Sequence, residues 1–564
     1  MISSLATFSK FVSLAGSFLV IGCLLAMAFL LLDEKGKLSS PALKLKAAVA
    51  FGSALWATGT LLTIIFTFAE ILGGGISEAL DFSSLQSFIT QITLGQYLLL
   101  QLAIALFILL ASRGLKTVGY TTLVLGLSLF GLVVPVFQSH SSASGSHSMA
   151  IGSLVIHVLA LSIWVGGLIA LALISPEDRA VAVPRFSTLA LWAAIAVVLS
   201  GSINAWIRLD FASAWKSAYA YVVLLKIALT VILIAIGYTQ RKKIARKAIN
   251  WVAFIRLTSY ELLIMGATLA LGAWLSSSQP PARAGENDFD AALAVTGISM
   301  PDAPTFKNIF LGYEPDALII GLLVFAVALY IKGVVVLTKR GDKWPVGRTV
   351  AFALGISTID FATSGGLGLY SHFSFTYHMV AHMVLGMVAP IGIVLGAPIT
   401  LALRTLPQGR NKTEHGVRGL LITGLHSKYA TFITNPLVAL AIFDGSLFGL
   451  YLTSAFGSMM QSHQGHLLMD LHFILAGVLF FHVIVGIDPN PKKVPYIVRI
   501  VILFMAMSIH AFFSIALMST TSLIDHGYFA SLVRPWALDL LADQRAGGAI
   551  AWGMGEVPII IALV

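Results

Sequence analysis

The sequence predicts an all-α, polytopic membrane bundle of about fifteen spans, and three observations predict it. Of the 564 residues 58% are hydrophobic and only 11% are charged, with a mean hydropathy of +0.91, which leaves too little polar surface to coat a soluble globule. Apolar runs of about 20 residues, the length that crosses a bilayer, recur along the whole chain. Clusters of Lys and Arg fall in every second connection, as they do when basic loops stay on the cytoplasmic side. So many spans use up the chain, which excludes a fused kinase, Rossmann or nucleic-acid module. The net charge of +10 therefore reports cytoplasmic loops, and no basic-aromatic patch points to a nucleic acid.

The first run, 11–32, has only Lys10 ahead of it and no small-x-small site before Asp33, so it reads as a mature span and not a secretory signal. Runs follow near 47–70, 92–112, 117–137, 149–175, 186–207, 219–239 and 251–276. A polar, acidic interval comes next, opening with Gln279-Pro280-Pro281 and carrying Glu286, Asp288, Asp290 and Asp302. Beyond it lie runs near 315–337, 347–366, 374–402, 431–454, 467–487 and 495–518, then one from 548 onward. The expected organisation is an eight-helix membrane domain over 1–276, an exoplasmic linker over 277–314 and a seven-helix membrane domain over 315–564. No repeat relates the halves, so an inverted-repeat transporter is not expected.

Placing Lys35, Lys37, Lys44 and Lys46 inside and alternating sides puts most of the 35 Lys and Arg in the cytoplasm, including Arg241, Lys242, Lys243, Arg246 and Lys247 and the cluster Lys339, Arg340 and Lys343. The N-terminus is then outside and the C-terminus cytoplasmic. The last run is still apolar at Val564, so a basic tail is expected beyond it.

The single cysteine, Cys23, lies in an apolar run, so neither a disulfide framework nor a CxxC site exists. Soft-metal chemistry is left to His and Met. On this topology most of the 14 histidines lie outside or in outer membrane halves. A Ser-rich exoplasmic loop carries His140, His147 and Met149, and His157 follows about 12 Å down the next helix at 1.5 Å per residue. An imidazole inside a bilayer is expensive without a partner. In the second half His378 and His382 stand four residues apart on one helix face, with Met379 and Met383 one position round. His463, His466, Met469, Asp470 and His472 start another span, where Asp470 is spaced to orient His466. His510 stands on the next.

By helix rise His382 and His472 lie roughly 10 Å below the outer surface and His510 roughly 15 Å. These three are the expected inner ligands of one metal, with His378, His466, Met379, Met383 and Met469 as an entry relay, and His463 is a further candidate metal residue. Copper, as Cu(I) or Cu(II), fits thioether and imidazole donors best, whereas carboxylate cages select Mg or Ca. Zinc is served by the same His and Asp residues, and haem by paired intramembrane histidines. Lys226, Glu261, Asp360, Asp444 and Glu556 fall in or beside spans as buried pairs, helix-end groups or members of a proton path. No GxSxG, HExxH or phosphate-cradling loop appears, and the chain is not read as an enzyme.

Two resemblances follow from longer segments. Residues His157–Gly167, then Arg185-Phe186-Ser187, then Ser200–Trp206 resemble the copper resistance D (CopD) family. From about residue 310 onward the chain resembles the CtaG family of cytochrome c oxidase assembly factors. It does so in His378–Met383, Ala389-Pro390, His463–Phe473, Gly486–Pro491, His510–Phe513 and Asp543–Gly548. Such a fusion looks actinobacterial. The resemblance implies a bacterial plasma membrane, copper movement by the first half, and copper supply by the second to cytochrome c oxidase or its copper-bearing subunits. The alternatives are a haem-binding redox membrane protein and a non-metal structural partner of the oxidase.

Overall fold

The computed structural model describes residues 2–73, 75–138, 147–209, 214–245, 251–278, 290–409 and 413–561. Helix dominates, and among the described residues the sheet is a two-stranded antiparallel ribbon, Asp33–Glu34 against Lys37–Leu38. Lys35 and Gly36 both have positive φ, the two-residue turn that closes such a ribbon. Twelve described helical segments are long and apolar enough to cross a membrane. Eight lie before residue 280, and the others are Ala317–Lys339, Phe375–Thr405, His463–Val485 and Tyr496–Ser519.

The three remaining apolar runs of the second half form helices of another kind. Val346–Thr363 has 18 residues and carries Arg348 and Asp360. The run near 431–454 breaks at Asp444 into Pro436–Phe443 and Gly445–Tyr451, of 8 and 7 residues. Leu540–Ile561 carries Asp543, Arg545 and Glu556. Composition finds all three stretches, but a charged group or an internal break decides what each helix does.

The described chain divides into two compact units: Met1–Ser144 with Met149–Glu286 and Gln408–Leu420, and Gly145–Ser148 with Asn287–Pro407 and Leu421–Val564. In the first unit the long helices are α1 (Ile2–Leu25), α2 (Lys46–Leu72), α3 (Thr93–Ala111), α4 (Val118–Val133), α5 (His147–Leu173), α6 (Pro176–Arg208), α7 (Ala218–Ala245) and α8 (Trp251–Ser277). Small residues let their backbones touch, as membrane helices require. A side chain at Gly16 would meet the backbone of Trp56, and one at Gly22 that of Gly166. Ser13 and Thr60 hydrogen-bond across α1 and α2 at 3.0 Å.

Residues 413–420 belong to this unit although their sequence lies in the second half. The Asp33 carboxylate collects the amides of Gly36 (2.8 Å), His415 (3.0 Å) and Gly416 (3.1 Å), and Arg185 pairs with Glu414 at 2.6 Å.

The second unit contains α9 (Ala317–Lys339), α10 (Val346–Thr363), α11 (Phe375–Met383), α12 (Ala389–Leu395), α13 (Pro398–Thr405), α14 (Pro436–Phe443), α15 (Gly445–Tyr451), α16 (His463–Val485), α17 (Tyr496–Ser519) and α18 (Leu540–Ile561). A π-turn, Val384–Val388, joins α11 to α12, where Pro390 lacks the amide that a regular α-helix would use. Two carboxylates distant in sequence cap helix starts. Asp543 accepts from the amides of Phe375 and Thr376, both at 3.1 Å, and so fixes the start of α11. Asp488 accepts from Ile399 (3.1 Å) and Thr400 (2.7 Å) at the start of α13. Gly386 and Gly477 bring the π-turn and α16 into backbone contact, since a side chain at Gly477 would collide with the Gly386 carbonyl.

Candidate metal centre

That contact sets α11 and α16 side by side with their histidine faces together. α11 presents His378 and His382 one turn apart, and their ring centroids are 4.0 Å apart. α16 starts at Ser462, whose hydroxyl accepts from the Gly465 amide at 3.1 Å, and its four-residue step puts His466 and Asp470 on one face. One potential ligand nitrogen from each of His378, His382 and His466 lies within 4.8 Å of the other two, and all three residues are buried.

Asp470 reaches two of the three rings. Its Oδ1 is 3.2 Å from His382 Nε2 and its Oδ2 3.5 Å from His466 Nδ1. Tyr451, at the end of α15, sets its hydroxyl 2.7 Å from His382 Nδ1 and 3.0 Å from His378 Nε2. One phenol proton serves only one of those nitrogens, so the other imidazole donates its N–H to the phenol oxygen.

Among the described residues the buried His378 Nδ1 and His466 Nε2 make no well-formed hydrogen bond, and His382 Nε2 has the Asp470 carboxylate beside it at 3.2 Å. Buried polar atoms without partners are uncommon. These three imidazole nitrogens and the carboxylate beside them form a donor set for one borderline cation such as copper or zinc. A haem does not fit between His378 and His382. An iron held by both at about 2 Å per bond needs the rings on opposite faces of a porphyrin, and rings with centroids 4.0 Å apart leave no slot.

On one side of the cluster His372 lies over His466, centroids 4.1 Å apart, and His463 Nε2 faces Asp316 Oδ2 at 3.4 Å. Asp316 caps α9 through its other oxygen, accepting from Leu318 (2.8 Å) and Ile319 (3.1 Å). Burial pushes the Asp316 carboxyl up to about 6, against the pull of those two amides. Burial also raises Glu314, two residues earlier.

The grouping differs from the trio expected from depth alone. His472 is six residues from His466, about 240° round the helix at 100° per residue, and its Nε2 has no partner. His510 is buried with both ring nitrogens occupied, Nδ1 at 3.4 Å from Asp444 Oδ1 and Nε2 at 3.1 Å from the Ala551 carbonyl. Met379, Met383 and Met469 are buried. In the first unit His157 Nδ1 lies 3.1 Å from both the Val197 carbonyl and the Ser200 hydroxyl. Asn204 donates to Ser153, one turn before His157, at 2.7 Å. Met149 is partly buried. His140 and the side chain of His147 lie outside the described residues.

Sequence reasoning missed Tyr451, Asp316 and His372 as neighbours of the cluster. His372 was visible at the head of a histidine-rich segment, and Asp316 as an acid just before an apolar run. Nothing local marks Tyr451, because its role depends on where α15 ends in space.

A multi-pass helical membrane protein with a histidine cluster defines the class, and family comparisons narrow it. Residues 1–149 match the copper resistance protein D-like N-terminal domain, 180–275 match copper resistance protein D, and 328–564 match the cytochrome c oxidase caa3 assembly factor family. The chain is thus a fusion of a CopD domain with a CtaG domain in a multi-pass bacterial membrane protein. Both descriptions are of resistance and assembly proteins rather than catalysts.

Among curated proteins, uncharacterized proteins of Mycobacterium bovis and Mycobacterium tuberculosis are each 38% identical over 268 residues, and one of Mycobacterium leprae is 39% identical over 268. The aligned part is 48% of this chain and spans about two fifths of the length of those relatives. No solved structure matches the chain.

Proposed function

We propose that this protein handles copper at the membrane. The second unit binds one copper ion through His378, His382 and His466 and supplies it to cytochrome c oxidase or its copper-bearing subunits. The first half moves copper across or into the membrane, from His140, His147 and Met149 toward His157. On this reading fifteen segments span or enter the bilayer, the N-terminus is outside, and the interval 277–314 is an exoplasmic linker between the halves. Copper is the cargo of the cluster, not a resident catalyst.

One observation carries the reading: the ligand atoms of three buried histidines lie within 4.8 Å of one another, with His378 Nδ1 and His466 Nε2 making no well-formed hydrogen bond among the described residues and His382 Nε2 beside the Asp470 carboxylate. The Asp470 carboxylate offsets part of the cation's charge, and through Nδ1 it aligns His466. Tyr451 holds the other faces of His378 and His382.

Metal analysis of the protein purified without chelator tests the reading, with anomalous scattering at the copper edge to place the ion. One copper per chain is expected, lost in His378→Ala, His382→Ala and His466→Ala. A purified protein that never takes up copper, or that keeps it in all three variants, removes the cluster from copper handling. A Soret band in the purified protein would favour the haem reading instead.

A further inference from the structure

The cluster is open on one side to a cavity. Glu314, Asp316, His372 and His463 line it, and so do His466 and Asp470 of the cluster itself. We propose that this cavity is a loading vestibule in which Asp316, Glu314, His463 and His372 first take a transition-metal cation, in exchange for its waters, and pass it to His466. The proposal rests on the reading of His378, His382 and His466 as a metal site.

Four features support it. Asp316 needs only one oxygen to cap α9, and the other is turned to His463 Nε2 at 3.4 Å, longer than a good hydrogen bond. A carboxylate oxygen and an imidazole nitrogen are thus adjacent, able to share a cation. His372 lies over His466 at 4.1 Å between centroids and lines the same cavity. His466 belongs to both places, lining the cavity while its buried Nε2 has no partner. Finally, three carboxylates, Glu314, Asp316 and Asp470, face one cavity, and a cleft lined by one sign of charge between low-dielectric walls concentrates the opposite ion.

The donor sets suit consecutive tasks. Oxygen and nitrogen ligands together at the mouth replace the waters of a hydrated ion, and the all-imidazole set deeper in holds it after those waters are lost. A helix cap and an ion pair alone would explain Asp316 and His463. They would not explain why Glu314 and His372 line the same cavity, or why it runs to an unpartnered His466 nitrogen.

The test follows Cu(II) ions loading full-length protein in detergent by stopped flow, in wild type, Asp316→Asn, Glu314→Gln and the double variant. Asparagine keeps the α9 cap, and size-exclusion profiles report folding. Loading in the double variant should slow about tenfold or more, with a flatter dependence on salt. Release should slow with it, because ions leave by the same route, and the final stoichiometry should stay at one copper per chain.

Wild-type loading rates in the double variant overturn the vestibule while leaving the cluster standing. Loss of copper at equilibrium also overturns it, since the acids would then be permanent ligands. Should the Asp316 variant fail to fold, Glu314→Gln with His372→Asn carries the same test. Failure of the cluster reading looks different, because wild-type protein would then bind no copper at any time.

Discussion

Tyr451→Phe removes one oxygen from a fully buried position and tests how the cluster is organised. The hydroxyl bridges His382 Nδ1 at 2.7 Å and His378 Nε2 at 3.0 Å, and two such bonds at a net value of about 1 kcal/mol each come to about 2 kcal/mol. The loss is unequal between the rings. His382 keeps Asp470 beside it at 3.2 Å, whereas His378 loses its one side-chain hydrogen bond.

Loss of the group that orients a metal-bound imidazole costs about 10- to 100-fold in affinity, or about 1.4 to 2.7 kcal/mol, consistent with the bond count. Competition of the purified variant against a copper chelator of known affinity measures the change, and thermal unfolding without metal measures the cost to the fold. The expected result is a 10- to 100-fold weaker site that still takes one copper per chain. Wild-type affinity in a well-folded Tyr451→Phe protein would refute the idea that this hydroxyl aligns the ligands.

Other expectations follow from the same contacts. Gly477→Ala drives a methyl into the Gly386 carbonyl and should lower stability by about 1–3 kcal/mol, read as a lower unfolding temperature in detergent; an unchanged temperature would mean that α16 shifts freely against the π-turn. His510→Ala should leave copper stoichiometry intact, because both ring nitrogens are already engaged. It should nonetheless destabilise the fold by about 1–3 kcal/mol, since buried Asp444 loses its partner; copper loss without instability would return His510 to the ligand set. His157→Ala should reduce copper accumulation in cells at limiting external copper, and unchanged uptake would take the first half out of transport.

Much of this protein is legible in its sequence. Composition fixes a membrane bundle because a bilayer tolerates only helices or closed barrels, and runs of about 20 apolar residues specify helices. The histidine-bearing segments were found the same way, since a four-residue step places His378 with His382 and His466 with Asp470 on one helix face whatever surrounds them. Helix rise even gives depth. It does not give azimuth or neighbours, which is why depth alone joined His382 to His472 and His510.

Only the tertiary structure decided which faces meet. Contact at Gly386 and Gly477 turns α11 toward the His466–Asp470 face, and the break at Asp444 leaves Tyr451 at the end of a short helix, within reach of both α11 imidazoles. The partner of His510 is an aspartate 66 residues away, a pairing that no local pattern encodes. Periodicity along one helix is a local property set by 3.6 residues per turn. A ligand set drawn from two helices and completed by a third is a property of how backbones approach, and residues far apart in the chain decide that approach.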